Sequence, residues 1–436
     1  KITLIQLCIM HCALCINLMA QENSGKELRL SLTEARDYAI EHNRTLQNAD
    51  LSVRQAYATR WQTIASMLPQ ADMTLGLNYT DGKMKFALQE GMPPMERNIE
   101  NLAGSLSISA SMAINGQLIV GALLNNLAIE MQNINHKSTE LDVILNVENL
   151  YITALAMNKT ISLLDSTLLN LEKLYEITKN VVEAGVAEQT QADQIQVQVS
   201  SMRSAINSTK RSVELIYNSL ALQLACGAEV ELELTDNLDD LVNVEAALQL
   251  LGQDFDINNN YSYQLASKNV ELAKKNVIMA GMAYVPTLSA FYQYTTPNKY
   301  FSGDAAMEQS MGVVGLSLSI PLWSSGKRAA AITEKRIAKQ VAENQLADAR
   351  DGLYVQHKQL RYNLSSAYED FDTQKMNIDV SQRVFNSVAN KFEYGYASSM
   401  ELTNASTTFL TAQSDYIKSI LNLVEAQINL KKLLNK

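Results

Sequence analysis

The stretch GSLSISASM, residues 104–112, decides how this chain is interpreted. Small serines alternate in it with apolar side chains, and successive side chains of an extended strand point to opposite faces. One face of such a strand is therefore apolar, and the other is small and hydrophilic. Taken alone, the stretch is typical of an edge strand in an ordinary soluble sheet. The rest of the chain favours a different interpretation.

Three further stretches alternate in the same way: ADMTLGLNY at 71–79, TLSAFYQYT at 287–295 and VGLSLSIPL at 314–322. Each run is about nine to eleven residues long, which is the length of a tilted strand that crosses a bilayer. The runs form two pairs, and a polar linker with Gly or Pro separates the members of each pair. The predicted strands cover about 70–80, 102–113, 286–296 and 311–321.

The composition favours long helices. The 436 residues include only 6 Pro and 17 Gly, and 47% of them are hydrophobic, which is typical of a mostly helical chain. The formal net charge is −10, and no dense cluster of Lys and Arg occurs. A nucleic-acid partner is therefore not expected, because binding to phosphates needs concentrated positive charge.

The first residues predict a signal peptide, residues 1–20. Lys1 precedes an apolar run, and a polar stretch follows Ala20, where cleavage is expected. The alternative is a membrane anchor, although His11 and Asn17 interrupt the run. No later run is long and apolar enough for a transmembrane helix, so entry into a membrane would require a barrel.

The chain contains an internal duplication. A shift of 210 residues superposes Gly116 on Gly326 and Gly185 on Gly395, and it aligns the two strand pairs. Each copy is expected to contain a helix, two strands and two long helices. The predicted organisation is a first repeat at 21–225, an inter-repeat segment at 226–260 and a second repeat at 261–436.

The long helices carry coiled-coil seams. From Leu402 to Leu433, apolar or small residues recur in unbroken steps of three and four, and the first copy keeps the same register. The predicted helices cover about 117–184, 187–225, 327–394 and 397–434. The longer two would each extend roughly 100 Å at 1.5 Å per residue. Gly185 and Gly395 suit the left-handed conformation that ends a helix and reverses the chain.

Four strands cannot close on themselves, and an open sheet edge cannot lie in lipid. Several chains must therefore share one barrel: two would give eight strands with a filled interior, and three would give twelve strands that leave a passage. The small polar faces would then line a water-filled lumen. The serines assigned to this lumen are Ser105, Ser107, Ser109, Ser317 and Ser319.

The duplicated strand pairs, the long helix pairs and the turns VEAGVAEQ (182–189) and FEYGYASS (392–399) together resemble the TolC family of outer-membrane efflux factors. The resemblance covers essentially the whole chain after the signal segment. It implies a mainly α fold with a small β part, built as a TolC-like trimeric α/β barrel. The inter-repeat segment would then belong to an equatorial belt.

The same resemblance implies a function. The chain would be the outer-membrane channel of a tripartite efflux or type I secretion system, passively conducting cargo. Its partners would be two further copies in a homotrimer, a periplasmic adaptor (membrane fusion) protein and an inner-membrane transporter. It would be located in the lipid bilayer of the bacterial outer membrane and extend into the periplasm.

By the family's motif, the periplasmic aperture would involve Glu401, Asn404 and Phe392. Only the first of these is an acid; the aromatic residue lacks a hydroxyl and the family's basic position is Ala397, so the resemblance implies no polar latch here. Threefold symmetry would bring three Glu401 side chains together, where they would attract cations. The alternative is a solvated residue on a helix face. The resemblance also implies that an adaptor docks near Gly185 and Gly395.

No enzymatic, metal or cofactor site is predicted. The four His residues show no ligand spacing with Cys or acids, and no glycine loop is placed to hold a phosphate. Of the 17 Met residues, most are at helical core spacing, which favours packing over metal export. Two other classes remain open: a periplasmic adaptor, which would contain one helical hairpin, and a coiled-coil scaffold, which would need no strands of this length.

Overall fold

The computed structural model describes residues 28–86, 95–227, 230–242, 244–298 and 310–436, and the predicted signal peptide at 1–20 lies outside them. Its helices are α1 (Leu32–His42), α2 (Arg44–Ala65), α3 (Gly116–Glu183), α4 (Gln189–Leu224), α5 (Leu238–Leu241), α6 (Val244–Leu251), α7 (Tyr261–Gly281), α8 (Lys327–Glu393) and α9 (Ser399–Leu434). Its strands are β1 (Leu28–Leu30), β2 (Gln70–Phe86), β3 (Met95–Ile114), β4 (Leu232–Leu234), β5 (Thr287–Asn298) and β6 (Met311–Ser319).

The long helices repeat almost residue for residue between the two halves. Helices α3 and α8 contain 68 and 67 residues, and α4 and α9 contain 36 each. Both shorter helices end on a left-handed residue, Ala225 with φ 56° and Asn435 with φ 55°. Both also begin two residues later than the sequence predicts, because the residues before them complete the preceding turn.

A four-stranded antiparallel sheet has the order β2-β3-β5-β6. Strands β2 and β3 are longer than the predicted 70–80 and 102–113, since their ladder continues to the pair Phe86↔Met95. The polar linker between them has the Gly and Pro that are typical of a loop, yet it contributes to both strands, because ladder hydrogen bonds join backbone groups and need no apolar alternation. Strand β6 instead ends at Ser319, short of the predicted 321, where Pro321 has no N–H to donate.

The chain divides into two compact units, and neither coincides with a repeat. The sheet-bearing unit comprises Leu51–Ile134 and Ser262–Ala349. The helical unit comprises the described part of Lys1–Asp50 together with Asn135–Tyr261 and Arg350–Lys436. Each unit therefore draws on both copies of the duplication. Among the described residues, no helix has the length and apolar character that crossing a membrane requires.

The core of the helical unit follows the predicted seams. Ten residues of α9 recur in steps of three and four from Leu402 to Leu433. Nine of them are buried, and the tenth, Tyr416, is half-buried. The rings of Phe385 and Phe409 stack with their centroids 5.5 Å apart, within a cluster that also holds Leu171 and Ile195. Steps of three and four keep one face of each helix toward its neighbours, and this burial stabilises the helices.

The inter-repeat segment is tied to the start of the described chain. Strand β4 pairs in parallel with β1, and the buried Tyr151 donates a hydrogen bond of 2.9 Å to the Leu30 carbonyl. Burial raises the pKa of the Tyr151 phenol to about 12. Glu148, a buried residue three positions before Tyr151 on α3, pairs with Arg36 at 2.6 Å and with Lys431 at 2.7 Å. These contacts fix α1 and α9 against α3.

Candidate functional site

The predicted lumen serines share one face of the sheet. Directly opposed residues of an antiparallel pair lie on the same face. Ser107 opposes Thr74 on β2 and Thr295 on β5, and Ser317 opposes Ser289 of the same β5 face. We call this surface the serine face; its polar residues are Asp72, Thr74, Ser105, Ser107, Ser109, Gln293, Thr295, Ser289, Ser317 and Ser319, and Phe291, Met311 and Val313 share it.

The hydroxyls of the serine face bond across strands. The Ser107 and Thr295 oxygens are 3.0 Å apart between β3 and β5, and Gln293 donates along β5 to the Thr295 hydroxyl over 3.4 Å. Such pairs hold the side chains close to the sheet and leave their remaining polar capacity to solvent. The polar part of the face is therefore shallow, uncharged over most of its area and suited to contact with water, whereas Phe291, Met311 and Val313 form an exposed apolar part on β5 and β6. Its role in lining a passage stays a prediction.

The opposite surface of the sheet is apolar and exposed. Val314 and Leu316 of β6 are 81% and 80% exposed. We call this surface the apolar face; its other large side chains are Met73, Leu75, Leu77 and Tyr79 of β2, Ile108 of β3, Leu288, Tyr292 and Tyr294 of β5, and Leu318 of β6. A patch of this size in contact with water is unfavourable, so it indicates contact with lipid or with another protein.

The two helical hairpins end in turns of the same design. Gly185 and Gly395 each have φ +75°, and each donates its N–H to the carbonyl three residues earlier. The following residues, Val186 and Tyr396, donate to carbonyls five residues earlier and leave their side chains 80% and 84% exposed. The duplication thus extends to single hydrogen bonds, and it presents apolar side chains at both turns.

The start of α9 differs from the start of α4. Ser398 caps α9: its hydroxyl accepts from the Glu401 N–H at 3.2 Å, and the Glu401 carboxylate accepts from the Ser398 N–H at 2.7 Å. The residue at the same place in the first copy, Glu188, makes no side-chain cap. This capping box lowers the pKa of Glu401, first through the Ser398 N–H and then through its hydroxyl.

The three predicted aperture residues lie on two helices. Glu401 and Asn404 are exposed on the first turns of α9, whereas Phe392 is half-buried near the end of α8 and packs against the cluster around Phe385. The exposed carboxylate and amide are free to face solvent, and the phenyl ring serves packing. The three positions therefore differ in exposure, and Phe392 packs against the cluster that includes Leu402, the residue next to Glu401.

The sequence analysis did not predict the capping box of α9 or the burial of two polar residues on that helix. The capping box was visible as the spacing Ser398-x-x-Glu401, which is the signature of a helix start. The burial of Ser406 and Gln413 was not visible, because both polar residues lie beside the seam rather than on it. Across the described parts of the chain, no group of three or more His, Cys, Asp or Glu side chains is placed to hold a metal ion.

Comparison with known proteins identifies the chain's relatives. A sequence model described as "Outer membrane efflux protein" matches residues 35–226 and 257–436, which is more than half of the chain. The toluene efflux pump outer membrane protein TtgC of Pseudomonas putida is 22% identical over 310 residues. That alignment covers 68% of this chain and 61% of TtgC, so the chain spans less than two thirds of this relative.

Solved structures share the fold. CusC, described in work on transmembrane channel formation, aligns with a TM-score of 0.72 and 16% identity over 95% of this chain and 94% of its own. The outer membrane channel CmeC of Campylobacter jejuni aligns with a TM-score of 0.71 and 14% identity over 92% and 85%. At these identities the likeness establishes the architecture of long paired helices with a small sheet.

Proposed function

Because the chain belongs to the outer membrane efflux protein family, we propose that it is the outer-membrane channel of a tripartite efflux system. It would conduct cargo passively from an inner-membrane transporter and a periplasmic adaptor to the cell exterior. The observation that carries this proposal is the sheet, which exposes an apolar face on one side and the serine face on the other. In a soluble scaffold or an adaptor, so large an apolar sheet surface would remain in contact with water, which is unfavourable.

The sheet supports a homotrimer. Within the described residues, β2 and β6 each have one edge without a partner strand. Backbone groups in hydrocarbon must all be hydrogen-bonded, so these edges need strands from other chains. Three copies of four strands make a closed sheet of twelve, which is wide enough for an aqueous passage. The serine face would then line the passage, and the apolar face would contact the outer membrane.

The periplasmic end of the passage would lie at the turns around Gly185 and Gly395. The exposed apolar tips of Val186 and Tyr396 fit the docking of an adaptor hairpin. Glu401 lies close to the second turn in sequence and is exposed, and its lowered pKa keeps the carboxylate ionised in mildly acidic solution. Three such carboxylates around a threefold axis would select cations.

The cargo is proposed to be small organic molecules. The relative TtgC is named for the efflux of toluene, which favours small solutes over the secreted polypeptides of a type I system. The serine face bears few charges, so it provides no strong binding site that would hold such a solute during passage.

Single-channel recording in planar bilayers tests the proposal. The wild type is expected to insert and to give a cation-selective conductance. Glu401→Gln removes the charge but retains a side chain that can complete the capping box, so the selectivity should fall while the fold is kept. Glu214→Gln, a change at an exposed acid on α4, is the control and should leave the selectivity unchanged.

The outcomes separate the alternatives. Insertion with a selectivity that Glu401→Gln does not alter would keep the channel and remove Glu401 from its constriction. Failure of the folded protein to insert or conduct would favour an adaptor or a coiled-coil scaffold.

A further inference from the structure

The internal duplication breaks down between β6 and α8. In the first copy, β3 continues to Ile114 and α3 begins at Gly116. In the second copy, β6 ends at Ser319 and α8 begins only at Lys327, so residues 320–326 lie outside both elements. We call residues 320–326 the β6–α8 segment. Since the long helices and turns of the two copies match closely, this local departure needs its own explanation.

The β6–α8 segment exposes two large apolar side chains. Leu322 is 88% exposed and Trp323 is 86% exposed, more than any other large apolar side chain in the described part of the chain. Their counterparts in the first copy, Met112 and Ala113, are half-buried and pair with β5. Contact between large apolar side chains and water is unfavourable, so Leu322 and Trp323 indicate a contact outside the chain.

The β6–α8 segment has a defined conformation. Arg328 donates from Nη1 to the Pro321 carbonyl at 2.8 Å, and its guanidinium carbon lies 4.7 Å from the centre of the Tyr284 ring. Ser325 and Gly326 have φ 47° and φ 82°. Left-handed backbone is uncommon for a residue other than glycine, and it persists where surrounding contacts fix the chain. The exposed leucine and tryptophan are therefore held in place.

The segment lies at the end of the apolar face along the chain. Leu316 and Leu318 of β6 belong to that face, and Ile320 and Leu322 continue the alternation in sequence. If lipid covers the apolar face, as the proposed function requires, the chain leaves the hydrocarbon here. Tryptophan is enriched at the surface of the hydrocarbon layer, because its ring is apolar and its indole N–H needs a hydrogen-bond partner. A phospholipid leaflet therefore suits both Leu322 and Trp323.

The charges near the segment also favour phospholipid. Between Met311 and Thr333 the charged residues are Lys327 and Arg328, and this stretch contains no acid. Lys327 is exposed, whereas Arg328 is half-buried and already bonds to the Pro321 carbonyl. A phospholipid carries an anionic phosphate next to its apolar acyl chains. One kind of molecule thus matches both the cation and the apolar pair.

We propose that Leu322, Trp323 and Lys327 form a phospholipid-binding surface, with the apolar pair among the upper parts of the acyl chains and the lysine at the phosphates. The proposal rests on the proposed function, because it takes the apolar face to lie in lipid. Every residue that carries it belongs to the sheet-bearing unit.

Tryptophan fluorescence tests the proposal, because the chain contains only 2 Trp residues. Trp61→Phe leaves Trp323 as the reporter. Trp323→Phe leaves Trp61, which is 62% exposed on α2 and provides the control. The full-length variants are placed in nanodiscs whose phospholipid is brominated either near the headgroup end of its acyl chains or near their far end. Bromine quenches an indole that it contacts.

Trp323 should lose most of its fluorescence to bromine near the headgroup end and less to bromine near the far end. Trp61 precedes the sheet on α2 and should lose little to either. Quenching of Trp323 no stronger than that of Trp61 would overturn the proposal. Blue-shifted Trp323 emission without quenching would also overturn it, because another chain would then cover the ring.

Conductance of the same variants in planar bilayers separates this proposal from the proposed function. A variant that conducts while Trp323 escapes quenching would overturn the lipid contact alone. Quenching of Trp323 in a variant that inserts but does not conduct would support the lipid contact and overturn the channel alone.

Lys327 has a matched control in Lys339, which lies further along α8 and pairs with Glu343 at 3.3 Å. Brominated phosphatidylglycerol, which is anionic, should half-quench Trp323 at an about fivefold lower mole fraction than brominated phosphatidylcholine, which has no net charge. In the Trp61→Phe background, Lys327→Gln should abolish this preference and Lys339→Gln should retain it. A preference that Lys327→Gln leaves unchanged would overturn the role of Lys327.

Discussion

The ring of Phe291 occupies the space that a side chain at Gly315 would need. The two residues are direct partners on β5 and β6, and a Cβ at position 315 would lie 2.6 Å from the Phe291 Cζ atom. Phe291 is also the residue that breaks the alternation of β5, since it places an aromatic ring on the serine face. Phe291 and Gly315 are therefore complementary: the large ring on β5 fits only because the residue opposite it on β6 has no side chain.

Gly315→Ala is expected to destabilise the folded protein by about 1–2 kcal/mol, because the ring must swing away from its place to admit the methyl group. The control is Gly312→Ala on the same strand, where the added Cβ would meet the Tyr292 hydroxyl oxygen and the Tyr294 ring at an ordinary 3.7 Å. Unfolding by urea in detergent micelles measures both. Phe291→Ser should rescue Gly315→Ala, and equal effects of the two glycine changes would contradict the argument.

The two faces of the sheet should differ in access to water once the protein is in a membrane. Leu316 and the neighbouring Ser317 are both exposed on the isolated sheet, on opposite faces. In a Cys226→Ala background, Ser317→Cys should react with a charged methanethiosulfonate at least tenfold faster than Leu316→Cys, because lipid excludes the reagent. After unfolding in denaturant the two rates should become equal. Equal rates in the membrane would mean that the apolar face does not contact lipid.

Capping mutations at the two helical turns should have opposite effects on the stability of the protein. Ser398→Ala removes the cap of α9 and should cost about 1 kcal/mol of stability. Glu188→Ser places serine three residues before Gln191, which completes the Ser-x-x-Gln form of a capping box at α4. That substitution should stabilise the protein by about 0.5–1 kcal/mol. Thermal unfolding measures both, and a loss of stability in Glu188→Ser would show that the first turn needs its acid for another contact.

The sequence predicted the regular elements because their signals are periodic. Alternation identified the four strands of the β2-β3-β5-β6 sheet but not the short pair β1 and β4, and steps of three and four identified the seam from Leu402 to Leu433, whose positions are buried or half-buried. The extension of β2 to Phe86 was not predictable, since that part of the ladder depends on the backbone alone. Nor was the burial of Ser406, because a heptad assigns its position to the flank of the seam.

Acid should remove part of the stability that Glu401 provides. Hydrogen bonds from Ser398 lower the folded-state pKa of Glu401 below its ordinary value of 4.5. A group whose pKa is lowered by folding stabilises the protein fully above its unfolded value and loses this contribution as the pH falls through the folded value. The melting temperature of the wild type should therefore exceed that of Glu401→Gln by less at pH 3 than at pH 6. In a Ser398→Ala background, the difference should depend less on pH, because the hydroxyl bond is lost while the backbone N–H of residue 398 still donates to the carboxylate.

Glu148 should be the most sensitive charged residue of the helical unit. Its side chain is 9% exposed and pairs with both Arg36 and Lys431, which are themselves about one quarter to one third exposed. Glu148→Ala would leave two partly buried cations without their partner, at a cost of about 3 kcal/mol. Glu172→Ala breaks an exposed pair with Arg203 and should cost under about 1 kcal/mol.

Urea unfolding of both variants measures the contrast, and a triple variant distinguishes its cause. Replacement of Arg36, Glu148 and Lys431 by Met removes all three charges, so it should recover most of the stability that Glu148→Ala loses. Recovery would show that the loss comes from unpaired buried charge. A triple variant as unstable as Glu148→Ala would mean instead that the triad itself holds α1 and α9 against α3.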